Sequence, residues 1–315
     1  MIDMPSLLRR TVPALLFLLV CWPTHAAEPP RVVVSIKPLH DIVSGLLEGV
    51  AEPELLLPTG ASPHQQSLRP SQMRVLQQAD LVIWVGPELE SFLVRPLAAQ
   101  HNKQSFPLLT LSGINRLSAR SGGAWSDSAS DPHEHHAGPD HVDRDPHLWL
   151  DPENARIIVS AVAEKLCQLD PGRTSYYRQQ AEVLKKRLAE LDQSLRRRLA
   201  SLPSGRHLVF HDSYQYFESR YGLKPAGALS IHPERSPGAR RITELRDLIR
   251  RNQVVCVFTE PQFEPRLVRT LVEGTSARSG VLDPLGTTLP KGADSYFRLL
   301  EDLAANLSSC LQQNR

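Results

Sequence analysis

Residues 173–202 read RTSYYRQQAEVLKKRLAELDQSLRRRLASL and contain neither glycine nor proline. Apolar side chains recur in this stretch at a spacing close to 3.5 residues, at Tyr177, Ala181, Leu184, Leu188, Leu191, Leu195 and Leu199. The spacing predicts one amphipathic helix, which would extend about 45 Å at a rise of 1.5 Å per residue. We interpret it as a rigid helix that joins two lobes. The alternative is a long helix packed along a single domain.

Short β-type runs alternate with helical patterns on both sides of this helix. Strands are predicted at 32–36, 54–57, 81–85 and 106–111 before it, and at 207–210, 225–230, 253–258 and 280–282 after it. Such alternation is typical of α/β folds in which helices flank a mostly parallel sheet. We therefore predict two similar α/β lobes, at 27–171 and 203–315, joined by a connecting helix at 172–202.

The first residues have the features of a secretory signal peptide. Arg9 and Arg10 precede an apolar run at 14–22, which is too short to span a bilayer. The run is followed by Thr24-His25-Ala26, which resembles an A-x-A cleavage site. We predict that residues 1–26 are removed on export to the periplasm. Cleavage one residue later and lipid attachment at Cys21 are the alternatives, and Val20 is a poor residue before a lipidated cysteine.

The composition excludes two classes of protein. The formal net charge is only +2 over 315 residues, whereas a nucleic-acid-binding protein would concentrate basic residues on one face. The hydrophobic content of 41% is ordinary for a globular chain and does not suggest a protein with several membrane spans. The length is sufficient for two medium-sized domains.

Four residues are candidate metal ligands. His64, His211 and Asp283 each lie just beyond a predicted strand, and His147 lies just before a predicted helix. Loops at the carboxyl ends of strands in an open α/β sheet converge and bind ligands. Imidazole nitrogens together with one carboxylate suit Zn²⁺. With His64 and His147 in the first lobe and His211 and Asp283 in the second, the metal would lie between the lobes.

Several long segments in the same order resemble one protein family. They are GASPH at 60–64, SLRPS at 67–71, ADLVIWVGPE at 79–88, FHDSY at 210–214, FTEPQF at 258–263 and LDPLG at 282–286. These segments resemble the metal-specific solute-binding proteins of ABC importers, and in particular the zinc-binding members of that family. The resemblance covers nearly the whole chain after the signal peptide.

The resemblance implies a ligand set and a function. His64, His147 and His211 would bind zinc, with a carboxylate or a solvent oxygen as the fourth ligand and Asp283 at the matching carboxylate position. Manganese-binding relatives tend to have Glu where this chain has His211, so a third imidazole favours zinc. Some zinc-binding relatives have Glu directly before the first histidine, where this chain has Pro63. Because Pro63 has no carboxylate to bind a metal, Asp283 becomes the stronger candidate for the fourth ligand.

The cysteines indicate one disulfide bond. Cys167, Cys256 and Cys310 remain after export to an oxidising compartment, where bridges form readily. Cys167 follows Val159 and Ala163 at helical spacing and is interpreted as a free, half-buried thiol. A bridge between Cys256 and Cys310 would tie the last helix to a core strand, and the alternative is that no bridge forms. The resemblance pairs Cys256 with Cys310.

Residues 118–144 interrupt the α/β pattern with a run rich in Gly, Ser, Asp and His. Such a composition buries too little apolar surface to order itself, so we predict a mobile loop. We interpret its histidines as a weak secondary zinc site, and the alternative is a solvated charged loop. They are His133, His135, His136 and His141.

The predicted function is high-affinity periplasmic zinc binding and delivery to an inner-membrane ABC permease with its ATPase. Zn²⁺ is the transported ligand, periplasmic zinc chaperones are candidate further partners, and the protein is expected to be a monomer that binds no nucleic acid. The alternatives are a manganese importer component, a metal-dependent surface adhesin and a secreted zinc hydrolase. An enzyme is not expected, because no motif supplies a general base beside an open coordination position.

Overall fold

The computed structural model describes residues 28–64, 66–99, 104–121, 144–230 and 238–312. The predicted signal peptide, 1–26, lies outside these ranges. So do the loop histidines His133, His135, His136 and His141. Within the described ranges, none of the helices combines the length and the apolar character needed to cross a bilayer.

Two four-stranded parallel sheets form the framework, which confirms the predicted α/β architecture. The first has the order β2-β1-β3-β4 and the second the order β6-β5-β7-β8. The strands are β1 (Val32–Val34), β2 (Glu54–Leu55), β3 (Leu81–Trp84), β4 (Gln104–Pro107), β5 (His207–His211), β6 (Gly227–Ser230), β7 (Cys256–Thr259) and β8 (Arg278–Val281). The strand β4 ends at Pro107, short of the predicted 111, because the chain turns there into a short 3₁₀ helix, Leu108–Thr110.

Helices cover the sheets, so the central strands are buried on both faces, as in other parallel sheets. Every residue of β1, β3 and β5 is buried. The helices are α1 (Lys37–Leu47), α2 (Pro70–Gln78), α3 (Val94–Ala98), α4 (Pro152–Leu169), α5 (Thr174–Leu199), α6 (Gln215–Tyr221), α7 (Ala239–Arg251), α8 (Arg266–Val272) and α9 (Ala293–Gln312).

The long helix α5 contains 26 residues, and all seven members of the predicted apolar stripe are buried. Its buried side packs mainly on α4 and also contacts α1 and α9. The helix therefore lies along elements from both ends of the chain. Contacts with α4, α1 and α9 support it, so it is not an isolated, solvent-surrounded linker between two domains.

The last helix, α9, returns to the first half of the chain and packs against α1. The helices approach closely at Gly45, where an added Cβ would lie 2.9 Å from Leu184 of α5 and 3.2 Å from Ala293 of α9. The phenol of Tyr296 also donates a hydrogen bond of 2.6 Å to the carbonyl oxygen of Trp149. One hydrophobic core consequently contains residues from 32 to 311, and it fixes the first half against the second.

The predicted disulfide between Cys256 and Cys310 is present, with a Cα–Cα distance of 6.1 Å. It joins the first residue of β7 to the last turns of α9. Cys167 is a free thiol, as expected, although it is only 7% exposed and so is buried more fully than predicted. The disulfide ties α9 to the second sheet at one end, while α1 holds the helix at the other.

Replacing both Cys256 and Cys310 with serine should lower the free energy of unfolding by roughly 4 kcal/mol, because the bond closes a loop of 54 residues in the unfolded chain. Urea denaturation of the oxidised protein measures the loss. Dithiothreitol should destabilise the wild type and the Cys167→Ala control but not the double variant. Equal midpoints with and without reduction, once thiol titration shows the bond broken, would contradict this expectation.

Candidate metal centre

Three histidines meet where the two halves of the chain face each other. His211 is the last residue of β5, and His64 lies in the turns that follow β2. His147 directly precedes a short 3₁₀ turn, Leu148–Leu150, that leads into α4. The carboxyl ends of parallel strands thus supply His64 and His211, as the sequence predicts. Among the residues that the structure describes, these three form the group placed closely enough to hold a metal ion.

The three ring nitrogens surround a common centre. Nε2 of His147 lies 3.4 Å from Nε2 of His64 and 3.4 Å from Nε2 of His211. All three ligand atoms lie within 4.8 Å of one another. Nitrogens bound tetrahedrally to one Zn²⁺ at 2.0–2.1 Å are about 3.3 Å apart. The spacing of the histidines therefore fits a single zinc ion.

Carboxylates fix the tautomers of two of these rings. Asp145 Oδ1 accepts hydrogen bonds from the backbone N–H of His147 at 2.9 Å and from its Nδ1 at 2.7 Å. Glu260 Oε1 lies 2.8 Å from Nδ1 of His211 and 3.1 Å from the phenol oxygen of Tyr214. Because these oxygens accept, the proton of each neutral ring is on Nδ1. The Nε2 lone pairs of His147 and His211 are left facing each other, an arrangement that a bound cation stabilises.

Burial keeps His147 neutral. His147 and His211 are buried, whereas His64 is half-buried. Desolvation lowers the pKa of His147 well below its ordinary value, and the neighbouring His211 lowers it further. Desolvation also raises the pKa of Asp145 to about 7. The hydrogen bond from the His147 backbone and the positive charge of Arg120 act in the opposite direction and lower it. His147 is therefore a free imidazole, the form that binds a metal.

The cavity at this centre is small, with a volume of about 10 Å³. That is about the space of one water-sized sphere and far below the several hundred Å³ of a site for an organic ligand. Apart from the histidines, its walls come from Ser62, Pro63, Trp149, Glu260, Gln262, Phe263, Pro284 and Leu285. The dimensions suit a single ion.

The structure does not bring Asp283 into this group. Its Oδ2 accepts hydrogen bonds from the backbone and the hydroxyl of Thr287, at 2.6 and 2.7 Å. Its Oδ1 accepts from the backbone of Leu285 at 3.1 Å and from Nε2 of Gln262 at 2.9 Å. Both oxygens therefore stabilise the turn at 283–287, and the expected fourth ligand is engaged elsewhere in this structure.

The hydrogen-bonding partners of the ligands were not predicted from the sequence as functional residues. Glu260 directly follows β7, so the rule that located His211 at a strand end would also have found it. Asp145 lies two residues before His147 and had no comparable signal.

Contacts between the two halves surround the centre. Arg120 pairs with Asp212 at 3.0 Å and with Glu218 at 2.6 Å. The phenol of Tyr216 accepts a hydrogen bond from the Leu117 backbone and donates one to the Asp145 carbonyl oxygen. Helix α6, which begins four residues after His211, thereby fixes the chain segment that leads to His147.

Comparison with known proteins identifies the family of this chain. Residues 32–310 match the sequence model of the ZnuA family, described as the periplasmic component A of the zinc-uptake complex. The chain is 37% identical to the high-affinity zinc uptake system protein ZnuA of Brucella suis, with 93% of this chain and 95% of the relative covered. It is 36% identical to the Yersinia pestis protein of the same name, with 94% and 95% covered.

Solved structures share the fold. A crystal structure of ZnuA superposes with a TM-score of 0.76 at 24% identity, covering 90% of this chain and all of the other. The periplasmic zinc-binding protein TroA from Treponema pallidum gives a TM-score of 0.72 at 22% identity, covering 90% of this chain and 99% of the other. From its matching family model and its closely covered relatives, the chain belongs to the ZnuA family of periplasmic zinc-uptake components.

Proposed function

We propose that this protein binds one Zn²⁺ ion between its two halves, with His64, His147 and His211 as ligands, and delivers it to an ABC importer. The observation that carries the proposal is the convergence of three Nε2 atoms on one centre, at spacings of 3.4 Å from His147. The names of the relatives, which are high-affinity zinc uptake proteins, support the same ion.

The chemistry of the donors favours zinc over manganese. The cluster offers three imidazole nitrogens, whereas Mn²⁺ prefers carboxylate, carbonyl and water oxygens. Asp283, the carboxylate that would make the set more oxygen-rich, is bound to its own turn. Measuring how well Mn²⁺ competes with Zn²⁺ for binding to the purified protein tests this preference directly.

A binding protein accounts for the cavity better than a zinc hydrolase does. Hydrolysis requires space beside the metal for an organic substrate, and the cavity of about 10 Å³ offers none. The family is one of uptake components. We therefore propose a role in transport without catalysis.

Delivery follows from membership of the family. We propose that residues 1–26 direct export to the periplasm, and that the monomeric protein then presents zinc to an inner-membrane permease with its ATPase. The lobes at 27–171 and 203–315 would bind the ion between them, with the helix at 172–202 as their support. A secondary zinc site at His133, His135, His136 and His141, and exchange with periplasmic zinc chaperones, complete the proposal.

Removing one ligand should abolish tight binding. A protein zinc site with about four ligands is worth 10–16 kcal/mol, so His147→Ala or His211→Ala should weaken zinc binding on the order of a hundredfold or more. Competition with a chromophoric chelator measures the change. Gln179→Ala, at an exposed position of α5, is the control and should bind like the wild type. Unchanged affinity in both ligand variants would refute the proposed site.

The carboxylate of Asp145 should affect zinc affinity, because its hydrogen bond to Nδ1 of His147 orients that ring. Asp145→Asn should lower zinc affinity by about 10- to 100-fold, because the partner of a metal-binding histidine sets its tautomer and basicity. Asp294→Asn is the control, since Asp294 is an exposed residue at the start of α9 and pairs with Arg187. Isothermal titration calorimetry at pH 7.5 compares the variants. A loss of equal size in both would indicate a general effect on folding.

Acidification should release the ion. Protons compete with Zn²⁺ for imidazole, so affinity should fall as the pH drops below about 6. Burial lowers the pKa of His147, and this ring stays neutral in that range and contributes no competition. The loss should therefore be less steep than three ordinary histidines would give. Titrations between pH 7.5 and 5 test this, and a constant affinity across the range would be incompatible with imidazole ligands.

A further inference from the structure

The guanidinium of Arg120 joins the two halves of the chain beside the metal centre. Arg120 belongs to the first half and lies two residues beyond the bridge that pairs Ser118 with Arg144. Its Nη1 donates to Oδ1 of Asp212 at 3.0 Å, and its Nη2 donates to Oε2 of Glu218 at 2.6 Å. Both acceptors lie in the second half. The planar fork of the guanidinium holds two carboxylates in a fixed relative position, which the point charge of a lysine does not.

These ion pairs are largely shielded from solvent. The side chains of Arg120, Asp212 and Glu218 are 20%, 10% and 3% exposed. Ion pairs on the surface contribute little because water and salt screen them. Breaking a buried pair, by contrast, leaves a charge without its partner and is strongly unfavourable. The contact between Arg120 and the second half therefore resists separation of the two halves.

Asp212 connects this contact to a metal ligand of the second half. It directly follows His211. The backbone N–H of Ser213 donates to the carbonyl oxygen of His211 at 2.9 Å, so residues 211–213 form a tight turn. When Arg120 binds the Asp212 carboxylate, it also holds the turn that carries His211.

The segment that carries Arg120 is likewise connected to a ligand of the first half. The backbone N–H of Asp145 donates to the carbonyl oxygen of Leu117 at 2.9 Å. Leu117 lies three residues before Arg120, and Asp145 lies two residues before His147. Arg120 thus links two chain segments that each position a histidine of the metal centre.

Another arginine holds the far end of helix α6. Arg220 donates to Asp192 of α5 through Nε at 2.9 Å and through Nη2 at 2.7 Å. The phenol of Tyr221 donates to the same carboxylate at 3.0 Å. The loss of Arg120 would leave these contacts in place. It should therefore loosen the end of α6 nearest His211 without detaching the helix.

We infer that Arg120 is a positioning residue whose two ion pairs hold His211 against His64 and His147 and thereby slow the release of zinc. The inference rests on the proposed zinc function. Arg120 also has an opposing electrostatic effect, because a positive charge near a cation weakens its binding. The two effects can be separated through Glu218. If positioning dominates, loss of either partner speeds release, whereas the charge effect alone gives opposite signs for the two losses.

The test measures how fast zinc leaves the protein in an excess of a chromophoric chelator. Arg120→Gln and Glu218→Gln should each release zinc about tenfold faster than the wild type, because truncating one partner of a buried charge pair acts mainly on dissociation. The double variant should be no faster than Arg120→Gln, since both changes interrupt the same contact. Slower release from Arg120→Gln with faster release from Glu218→Gln would overturn the inference.

Arg144→Gln is the matched control. It removes the same charge from the facing residue of the bridge, and the Arg144 side chain pairs with Glu88 of the first half at 3.9 Å. This variant should release zinc at the wild-type rate, and equal acceleration in it would overturn the inference. Urea denaturation of the metal-free variants measures stability separately. A lower stability of Arg120→Gln with a wild-type release rate would reduce Arg120 to a structural role.

The wild type distinguishes failure of the inference from failure of the function. Zinc binding by the wild type, with wild-type release rates in Arg120→Gln and Glu218→Gln, would overturn the positioning role and leave the zinc function intact. A wild type that binds no zinc would overturn the proposed function, and the positioning role with it.

Discussion

The candidate metal centre depends on the close approach of three imidazole nitrogens whose lone pairs a cation can bind together. Hydrogen bonds from Nδ1 to Asp145 and Glu260 turn the Nε2 atoms of His147 and His211 toward each other at 3.4 Å. The arrangement is unfavourable in the empty protein and favourable around Zn²⁺. Folding therefore brings three imidazole donors from both halves of the chain to within 4.8 Å of one another.

The packing of the two halves maintains this approach. His64 and His147 come from the first half of the chain and His211 from the second, so any rotation between the halves would separate the nitrogens. Helices α1, α5 and α9 meet closely at Gly45, and α6 ties the segment before His147 to the segment after His211. The disulfide holds α9 to the second sheet. These contacts hold the two halves together around the three histidines.

Burial shifts the pKa values of two groups at the candidate metal centre, His147 and Asp145. Desolvation lowers the pKa of His147 and raises that of Asp145 to about 7, so burial shifts each group toward its neutral form. A cation at Nε2 would stabilise the carboxylate of Asp145 through the ring between them. The apolar walls, including Trp149 and Phe263, reinforce this coupling because they exclude solvent from the centre.

The sequence by itself determined the periodic features and the types of donor. The spacing of apolar residues predicted α5, and the alternation of strands and helices predicted the two parallel sheets. Both patterns come from local backbone geometry that each segment has by itself. The position of His211 at a strand end located it correctly. Only the tertiary structure decided that α9 returns to α1, that Asp145 and Glu260 orient the histidines, and that Asp283 bonds to Thr287 in its own turn. These contacts depend on which groups lie nearest to one another in space. Distances between residues far apart in sequence are set by the packing of the whole chain, so the sequence pattern alone does not give them.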